Sequence, residues 1–496
     1  MASTPDHGPE DRGHPSPEGR ALRCDLAVVG AGFCGLATLA QLFAGWSGGP
    51  LRVVWIERGG RFGPGVAYSA RSGRRLLNVR AGAMSALPDQ PDHFLAFARR
   101  AADGSEQPCG QDFLPRSLYG RYLEDCLRQA EAAVAGVASL VRLRGEAMRL
   151  RGPDGSGWAG LTLADGTQVS AQRVVLALGN ALPARPAWLE GFEPGSDDRL
   201  LTNPWDENAL ESIGPDERVL VLGTGLTAID SILDLAPRLS RGSILAVSRR
   251  GLVPRPHRDL HDLPALPPLD LQPKEQRSVL ALLRGLRRRA REQQGRGGDW
   301  RQVIDALRPH TQGLWAALPL EQRARFLERL APYWDAHRHR LPGSAWAALG
   351  AHLHTGRVRL LAGRVRALRA LPRGLQVDVQ RRGALGSERI EVDRLLLANG
   401  PETDPARAYG PLVSTALAEG LLRRDPLGLG LESTAEGRAL DRAGRVLPWL
   451  DLIGPLRRAS LWESTAVPEL RGQAQRLAER LRSRLDPRDS LVTCRP

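Results

Sequence analysis

The hydrophobic positions of this chain gather into short apolar runs that end in glycine, each followed by a segment of helical periodicity. Residues 24–30 read CDLAVVG. A brief apolar run closed by Gly is the pattern of a strand buried on both faces, as in a parallel sheet. Gly30-Ala31-Gly32-Phe33-Cys34-Gly35 follows, and then LATLAQLFAG, which predicts a helix. A second run, Leu51–Ile56, predicts a strand that ends at Glu57. The stretch Leu26–Trp46 is apolar enough to suggest a membrane span. Its glycines, and its split into a β-branched run and an Ala-rich run, argue against one.

The same order returns further on. RVLVL (218–222) leads into Gly223-Thr224-Gly225-Leu226-Thr227-Ala228, a helix IDSILDLAPRL, and a strand ILAVS that ends at Ser248-Arg249-Arg250. Each glycine motif also has a downstream partner. Residues 160–180 read as strand, Asp-Gly turn, strand, and an apolar strand ending in Ala177-Leu178-Gly179. Residues 374–400 repeat that plan and end in Ala398-Asn399-Gly400.

GxGxxG between a strand and a helix has a physical meaning. Gly30 permits the tight turn, Gly32 lets backbone approach a pyrophosphate, and Gly35 lets the helix pack close to the strand. The helix N-terminus offers free N–H groups to the phosphates, and Glu57 stands where a carboxylate accepts from a ribose 2′-OH. In the second motif Gly223 and Gly225 repeat the first two roles, and Ala228 fills the packing position. No acid ends the following strand. Arg249 and Arg250 there suit a 2′-phosphate, which points to NADPH over NADH, with NADH still possible. Solvated arginines in an Arg-rich chain are the plainer alternative.

Two such modules in series resemble the plan of two-dinucleotide-binding-domain flavoproteins. The expected fold class is α/β, with two dinucleotide-binding (Rossmann-like) domains, the NAD(P) domain inserted in the FAD domain, plus a helical insertion. The expected division is a tail at 1–22, an FAD domain at 23–200 and 401–496, an NAD(P) domain at 201–264 and 351–400, and the insertion at 265–350. That insertion starts Pro-rich and then predicts helices at Arg277–Gln293 and Leu320–His337. Trp300, Arg301, Asp305, Arg308, Trp315, Trp334, His337, Arg338 and Arg340 mix aromatic and polar chemistry. They are candidates to line a pocket for a planar or anionic substrate, against the plainer reading of core tryptophans and solvated arginines.

Several further blocks resemble one family. They are Phe62-Gly63-Pro64-Gly65-Val66-Ala67-Tyr68-Ser69, Leu76-Leu77-Asn78-Val79, Pro115-Arg116-Ser117-Leu118-Tyr119-Gly120, Ser248-Arg249-Arg250-Gly251, Gly454-Pro455 and Trp462 to Arg471. Together they resemble the bacterial FAD/NAD(P)-binding proteins that include flavin-dependent urate hydroxylases and nitrosuccinate-forming aspartate N-oxygenases, over roughly residues 24–480. Ala398-Asn399-Gly400-Pro401 departs from the Cys-Thr-Gly-Pro type of sequence frequent in that family. The resemblance implies FAD and NADPH as cofactors, and a monooxygenase that uses O2 through a flavin C4a-(hydro)peroxide. The implied substrate is a small anionic nitrogenous molecule, urate-like or an amino acid. The block that holds Gly65, Tyr68 and Asn78 is not needed for a Rossmann core, which together with the resemblance places these residues beside the flavin. Tyr68, Asn78 and Arg250 are the candidate catalytic residues, and Gly179, Gly400, Gly454 and Glu469 are further candidates at the cofactors.

Composition narrows the rest. Lys and Arg number 69 against 55 acids, for a net charge of +14, yet Lys274 is the one lysine. The arginines are spread along the chain beside no recognition motif, so nucleic-acid binding is not expected. Such a field still draws anionic substrates and phosphate-bearing cofactors. Cys24, Cys34, Cys109, Cys126 and Cys494 have neither disulfide nor metal-finger spacing, which suits a reducing cytoplasm. His257, His261, His337 and His339 lack the spacing of a metal site. Residues 1–20 have no apolar core and read as a disordered tail, not a signal peptide. No two cysteines lie close enough in sequence for a flavin disulfide reductase. An NAD(P)H-dependent flavin reductase or electron-transfer protein, and an FAD-binding redox sensor, stay open, as does the oligomeric state.

Overall fold

A computed structural model describes residues 21–102, 104, 107–192 and 197–485; the expected tail up to position 20, and Cys494, lie outside them. In chain order the strands are β1 (Ala21–Val29), β2 (Leu51–Glu57), β3 (Ala138–Arg144), β4 (Ala147–Arg151), β5 (Ala159–Leu163), β6 (Gln168–Leu176), β7 (Leu200–Leu201) and β8 (Arg218–Leu222). They continue as β9 (Ser243–Ser248), β10 (Val358–Ala370), β11 (Leu375–Arg381), β12 (Glu388–Val392), β13 (Arg394–Leu397), β14 (Arg438–Leu440) and β15 (Val446–Leu452). One sheet runs β14-β15-β6-β1-β2-β3, with β5 also on β6 and β4 on β5; the other runs β12-β11-β10-β9-β8-β13-β7. The first sheet thus takes its strands from residues 21–176 and 438–452, and the second from the chain between. This is the expected α/β architecture, one parallel-sheet module set inside another.

The apolar runs form the central strands. β1 lies parallel between β2 and β6, with Leu26 opposite Val53 on one side and Arg173 on the other. Leu26 and Val28 face the core beneath the Phe33–Ala44 helix, while Ala27 and Val29 face the opposite core. Burying such a side chain fully contributes about 1.5–3 kcal/mol. The C-terminal Val467–Leu485 helix adds Leu470, Ala474, Leu477 and Leu481 to the core under the Phe33–Ala44 helix.

The structure differs from the sequence pattern at four places. Residues 168–176 form one unbroken strand, β6, where two were expected: its first half pairs with β5 and its full length with β1. β10 was not expected, because its alternating arginines hide the apolar positions. β14 and β15 were likewise not expected as strands. The Leu320–His337 helix is interrupted, with a π-helical turn at Phe326–Leu330 between Leu320–Arg325 and Ala331–Arg338. Pro332 supplies the cause, since it has no N–H to continue the ladder. The other expected helix of the insertion runs Val279–Gly295, started by Ser278, whose hydroxyl accepts from the Ala281 amide.

The insertion docks on the C-terminal segment. Trp315 stacks on Trp462 with ring centroids 4.9 Å apart, and its indole N–H donates to the Ala459 carbonyl at 2.8 Å. Arg308 pairs with Glu469 at 2.7 Å and Arg338 with Glu463 at 2.9 Å. Truncating the buried Trp315 to Ala should cost about 3–5 kcal/mol of packing. The expected result is early proteolytic cleavage within residues 265–350, at temperatures where both sheets still resist, read by mass spectrometry of the fragments.

Candidate functional site

The two glycine loops repeat each other in atomic detail. The Gly30 amide donates to the Ile56 carbonyl at 2.9 Å and the Ala177 amide to Val29 at 2.8 Å; in the second module Gly223 donates to Val247 at 2.8 Å and Ala398 to Leu222 at 2.9 Å. The conformation explains the glycines. Gly30 has φ +104°, and a Cβ there would lie 2.4 Å from the Ala177 carbonyl oxygen; Gly223 has φ +125°, and a Cβ there would lie 2.1 Å from that of Ala398. Gly35 closes the first helix onto the strand, since a Cβ would come 2.3 Å from the Gly30 oxygen. Ala228 is fully buried in the corresponding place.

The middle glycines differ. Gly32 and Gly225 have ordinary φ angles of −88° and −79°. A Cβ on Gly32 would meet only the Gly65 Cα, at 3.5 Å, and one on Gly225 would meet nothing within 4 Å. The protein's own packing therefore demands neither. Each begins a helix (Phe33–Ala44 and Leu226–Leu235) with no side-chain cap and no acid in the first turn, so the first-turn N–H groups stay free for an anion. Gly179 and Gly400, at φ +71° and +94°, also face open space. Both loops fit a dinucleotide pyrophosphate.

Around the first loop, Glu57 accepts from the Ala31 amide at 2.9 Å through one oxygen and from Gly59 at 3.0 Å through the other, which fixes its carboxylate at the loop. Gly65 lies face to face with Gly32: a Cβ on it would come 2.7 Å from the Gly32 Cα. Tyr68 packs edge-on between Phe33 and Tyr119, at 6.5 and 4.7 Å. Desolvation pushes its hydroxyl pKa up to about 12, so it keeps its proton at neutral pH. Asn78 lines a small cavity with Leu76 and Arg116 from the first module, Leu226 and Asp230 from the second, and Leu341 from the insertion. Its carbonyl, 3.1 Å from His257 Nε2, accepts a hydrogen bond from the neutral imidazole. At the second loop, Thr224 and Ser248 are joined at 2.8 Å. Arg249 is exposed, while Arg250 donates to the Glu328 carbonyl at 3.2 Å and lies over Tyr333.

Other expected residues serve the fold visibly. Gly454, at φ +79°, abuts Cys34, whose sulfur a Cβ would meet at 2.6 Å; its amide donates to Gln473. Glu469 is held in a two-pronged pair with Arg308. The insertion's arginines are mostly matched with acids: Arg301 with Asp299, Arg338 with Glu463, Arg340 with Asp305. Trp334 donates to Glu463, Trp315 is core, and Trp300 meets His337 edge-on. These pairings are what the plainer reading of this set expects, and they leave its pocket-lining reading untested. A shallow depression of about 520 Å³ beside Arg199, Glu217 and Arg394 lies at the N-terminal ends of β8 and β13. It is the wrong end of the sheet for this fold, whose ligands sit beyond the carboxyl ends.

Sequence reasoning missed a buried group between the modules. Arg75 donates to Asp234 at 2.5 Å, Arg116 to Asp230 at 3.1 Å, and both guanidinium groups stand by the Trp205 ring, at 5.3 and 5.6 Å. Two acids one turn apart on the otherwise apolar helix IDSILDL were the available signal. No helix among the described residues is long and apolar enough to cross a membrane, and none of them form a group of three or more metal-ligating side chains.

Residues 27–181 match a family model described as FAD-NAD(P)-binding. No curated protein matches the chain. Among solved structures it is similar to L-lysine 6-monooxygenase from Pseudomonas syringae, at 16% identity over 93% of this chain and 99% of that one, TM-score 0.63. It is similar to an ornithine N-hydroxylase of Kutzneria sp. 744, solved with reduced FAD, NADP+ and L-ornithine, at 16% identity, 93% and 99% coverage, TM-score 0.62. It also resembles a cadaverine monooxygenase from Erwinia amylovora bound to FAD, at 14% identity, 93% and 94% coverage, TM-score 0.60. The shared feature is the fold, that of two-dinucleotide-binding-domain flavoproteins.

Two measurements test this geometry. Gly223→Ala should lose about 1–3 kcal/mol from backbone strain alone, beyond its carbonyl clash, whereas Gly225→Ala should leave the thermal midpoint nearly unchanged; equal losses would refute the distinction. His257 has its pKa pushed down to about 4, first by burial and then by Arg340. The unfolded chain takes up this proton near pH 6.5 and the folded chain only near 4, so stability falls as pH drops through that window. Thermal melts of His257→Gln should show a flatter pH dependence there than the parent.

Proposed function

We propose that the protein is an FAD-dependent NAD(P)H monooxygenase acting on the nitrogen of a small amine-bearing, anionic substrate such as an amino acid. The observation that carries this reading is the pair of middle glycines, Gly32 and Gly225, which nothing in the protein requires, each at the bare N-terminus of a helix. Two dinucleotide sites in one chain suit a protein that passes electrons from one nucleotide to another. The amine class is supported by the lysine, ornithine and cadaverine enzymes whose fold it shares, and the sequence resemblance adds urate-like molecules as the second substrate class.

In this reading Gly30, Gly32, Gly35, Glu57, Gly179 and Gly454 belong to the FAD side, and residues 23–200 and 401–496 form that domain. Gly223, Gly225, Ala228 and Gly400 belong to the NAD(P)H side at 201–264 and 351–400, with Arg249 and Arg250 at the adenosine 2′-phosphate. Bound FAD supplies the redox relay and the activation of O2; the protein supplies binding, orientation and exclusion of water. The Phe33–Ala44 helix N-terminus takes the pyrophosphate, and each Glu57 oxygen keeps a free lone pair for a ribose hydroxyl. Tyr68 holds its proton beside the first loop as a hydrogen-bond donor. Asn78 lies on the cavity wall where the two modules and the insertion meet, and the insertion covers that side from water.

The test is NADPH oxidation by the FAD-loaded protein in air, with peroxide quantified, alone and with aspartate, ornithine, lysine or urate. One substrate should speed oxidation while peroxide stays low, and the product should carry one added oxygen by mass. Oxidation with stoichiometric peroxide under every condition favours the electron-transfer alternative. No NADPH oxidation at all ends the monooxygenase reading and favours redox sensing. Gly225→Ala should raise the Kd for NADPH and leave FAD content unchanged.

A further inference from the structure

The first turn of the Arg116–Ala133 helix links the surroundings of the first nucleotide loop to the helix that follows the second. On one side Tyr119 packs on Tyr68, which packs on Phe33, the residue after Gly32. Gly120 is pressed on the same segment, and a Cβ there would lie 2.3 Å from the Tyr68 carbonyl oxygen. On the other side Arg116 reaches Asp230, in the second turn of the helix that starts after Gly225. One turn on, Asp234 receives Arg75, whose side chain is 1% exposed and which also donates to the Pro204 carbonyl at 3.2 Å. Trp205, beside that carbonyl, lies within cation–π range of both guanidinium groups.

We infer that Arg75 and Arg116, with Asp234, Asp230 and Trp205, form a clamp that sets the position of the second glycine helix against the first loop, and that they are positioning residues for electron transfer between the two nucleotides. This rests on the proposed function for its catalytic half only. Three features mark the group as a positioning device. Both acids lie on the helix that carries the second loop, at i and i+4, so two anchors fix both its translation and its rotation. Arg75 uses two nitrogens in set directions, Nε to Asp234 and Nη2 to the Pro204 carbonyl, and Arg116 reaches Asp230 through Nη2, a directionality that a greasy interface does not impose. The group is also closed off from water: the four charged side chains are between 1% and 12% exposed. Burial there raises the Asp230 carboxyl pKa and Arg116 opposes that rise, so the pair is held by mutual need.

The clamp sits on the wall of the cavity lined by Asn78, Leu226 and Leu341, where the modules and the insertion meet. A slipped clamp would therefore alter the gap across which hydride passes while leaving each loop whole. Rates of such steps respond to about 1 Å of misplacement by roughly a hundredfold.

The experiment has two arms, both on the full FAD-loaded chain. In the first, spin labels at Ser139→Cys in β3 and Glu391→Cys in β12, with Cys109 and Cys494 replaced by Ser, report the distance between the sheets by pulsed electron resonance. The parent should give one narrow distance, and Asp230→Asn/Asp234→Asn a broader or displaced one. An unchanged distribution overturns the clamp, whatever the protein's activity. In the second arm, anaerobic reduction of the flavin by NADPH should slow roughly tenfold to a hundredfold in the double variant. FAD absorbance, reduction by dithionite and the Kd for NADPH should stay near parental values. If the distance shifts but the rate does not, the positioning role is overturned. If NADPH fails to reduce the parent flavin, the proposed function falls and the first arm alone decides the clamp. Should the double variant not fold, Arg116→Lys keeps the charge without the fork, and is expected to show a smaller shift and a smaller slowing; parental behaviour in both would overturn the inference.

Discussion

Two close approaches organise this molecule: a glycine amide turn at the end of one strand pressed against the carbonyl that ends its neighbour. Gly30 meets Ala177 and Gly223 meets Ala398, each at a distance that excludes a side chain. The contact locks the C-terminal ends of β1 and β6, and of β8 and β13, in line. It forces the chain to turn sharply and start a helix at once, so that helix begins with its amides uncapped. A bare N-terminus is unfavourable by itself. Its free N–H groups and dipole find their partner in an anion, and the same contact that shapes the loop thus creates the demand for a phosphate.

Those contacts join distant residues, but the marks each partner leaves are local in sequence, which is why so much of the constraint was legible. The glycine spacing, the apolar runs on either side and the Ala-Leu-Gly and Ala-Asn-Gly ends all lie within windows that periodicity reads. Their duplication gave two modules in series, and the module-within-module plan came from the resemblance that this series carries. What escaped has a different physics. β10 alternates arginine with apolar residues and so lacks a continuous run. The Arg75–Asp234 and Arg116–Asp230 pairs join residues 159 and 114 positions apart; nothing in a single window connects them. The break at Phe326–Leu330 depends on Pro332 within a pattern that otherwise reads as one amphipathic helix.

The insertion shows where buried charge finds its partners. Nine of its residues are candidates for a substrate pocket because they mix arginine with tryptophan. In the structure the guanidinium groups of Arg301, Arg308, Arg338 and Arg340 are taken up by acids, two of which, Glu463 and Glu469, stand in the C-terminal segment. A buried arginine without such a partner would be costly, so pairing is the default state, and free positive charge collects on the surface. The exposed Arg284, Arg287 and Arg291 of the Val279–Gly295 helix are of that kind. The net charge of +14 is therefore a property of the outer face more than of the inner one.

The same pairs give the insertion a part in shaping the first nucleotide site. Trp462 has φ +49°, the one positive value outside glycine among the described residues. Such a backbone persists only where its surroundings over-determine it. Here they do: Trp315 stacks on its ring, Phe326 meets it edge-on, and Arg458 lies 4.7 Å above it. The next residue, Glu463, receives Arg338 and Trp334. Eight residues before Trp462, Gly454 presses on Cys34, two residues after Gly32; five residues after it, Val467 begins the helix that packs along the first loop's helix. The insertion thus braces a strained segment whose two ends both bear on the first loop. Without it that segment would lose its brace beside Cys34, and the long detour in the chain is as much a part of the first module as the strands that define it.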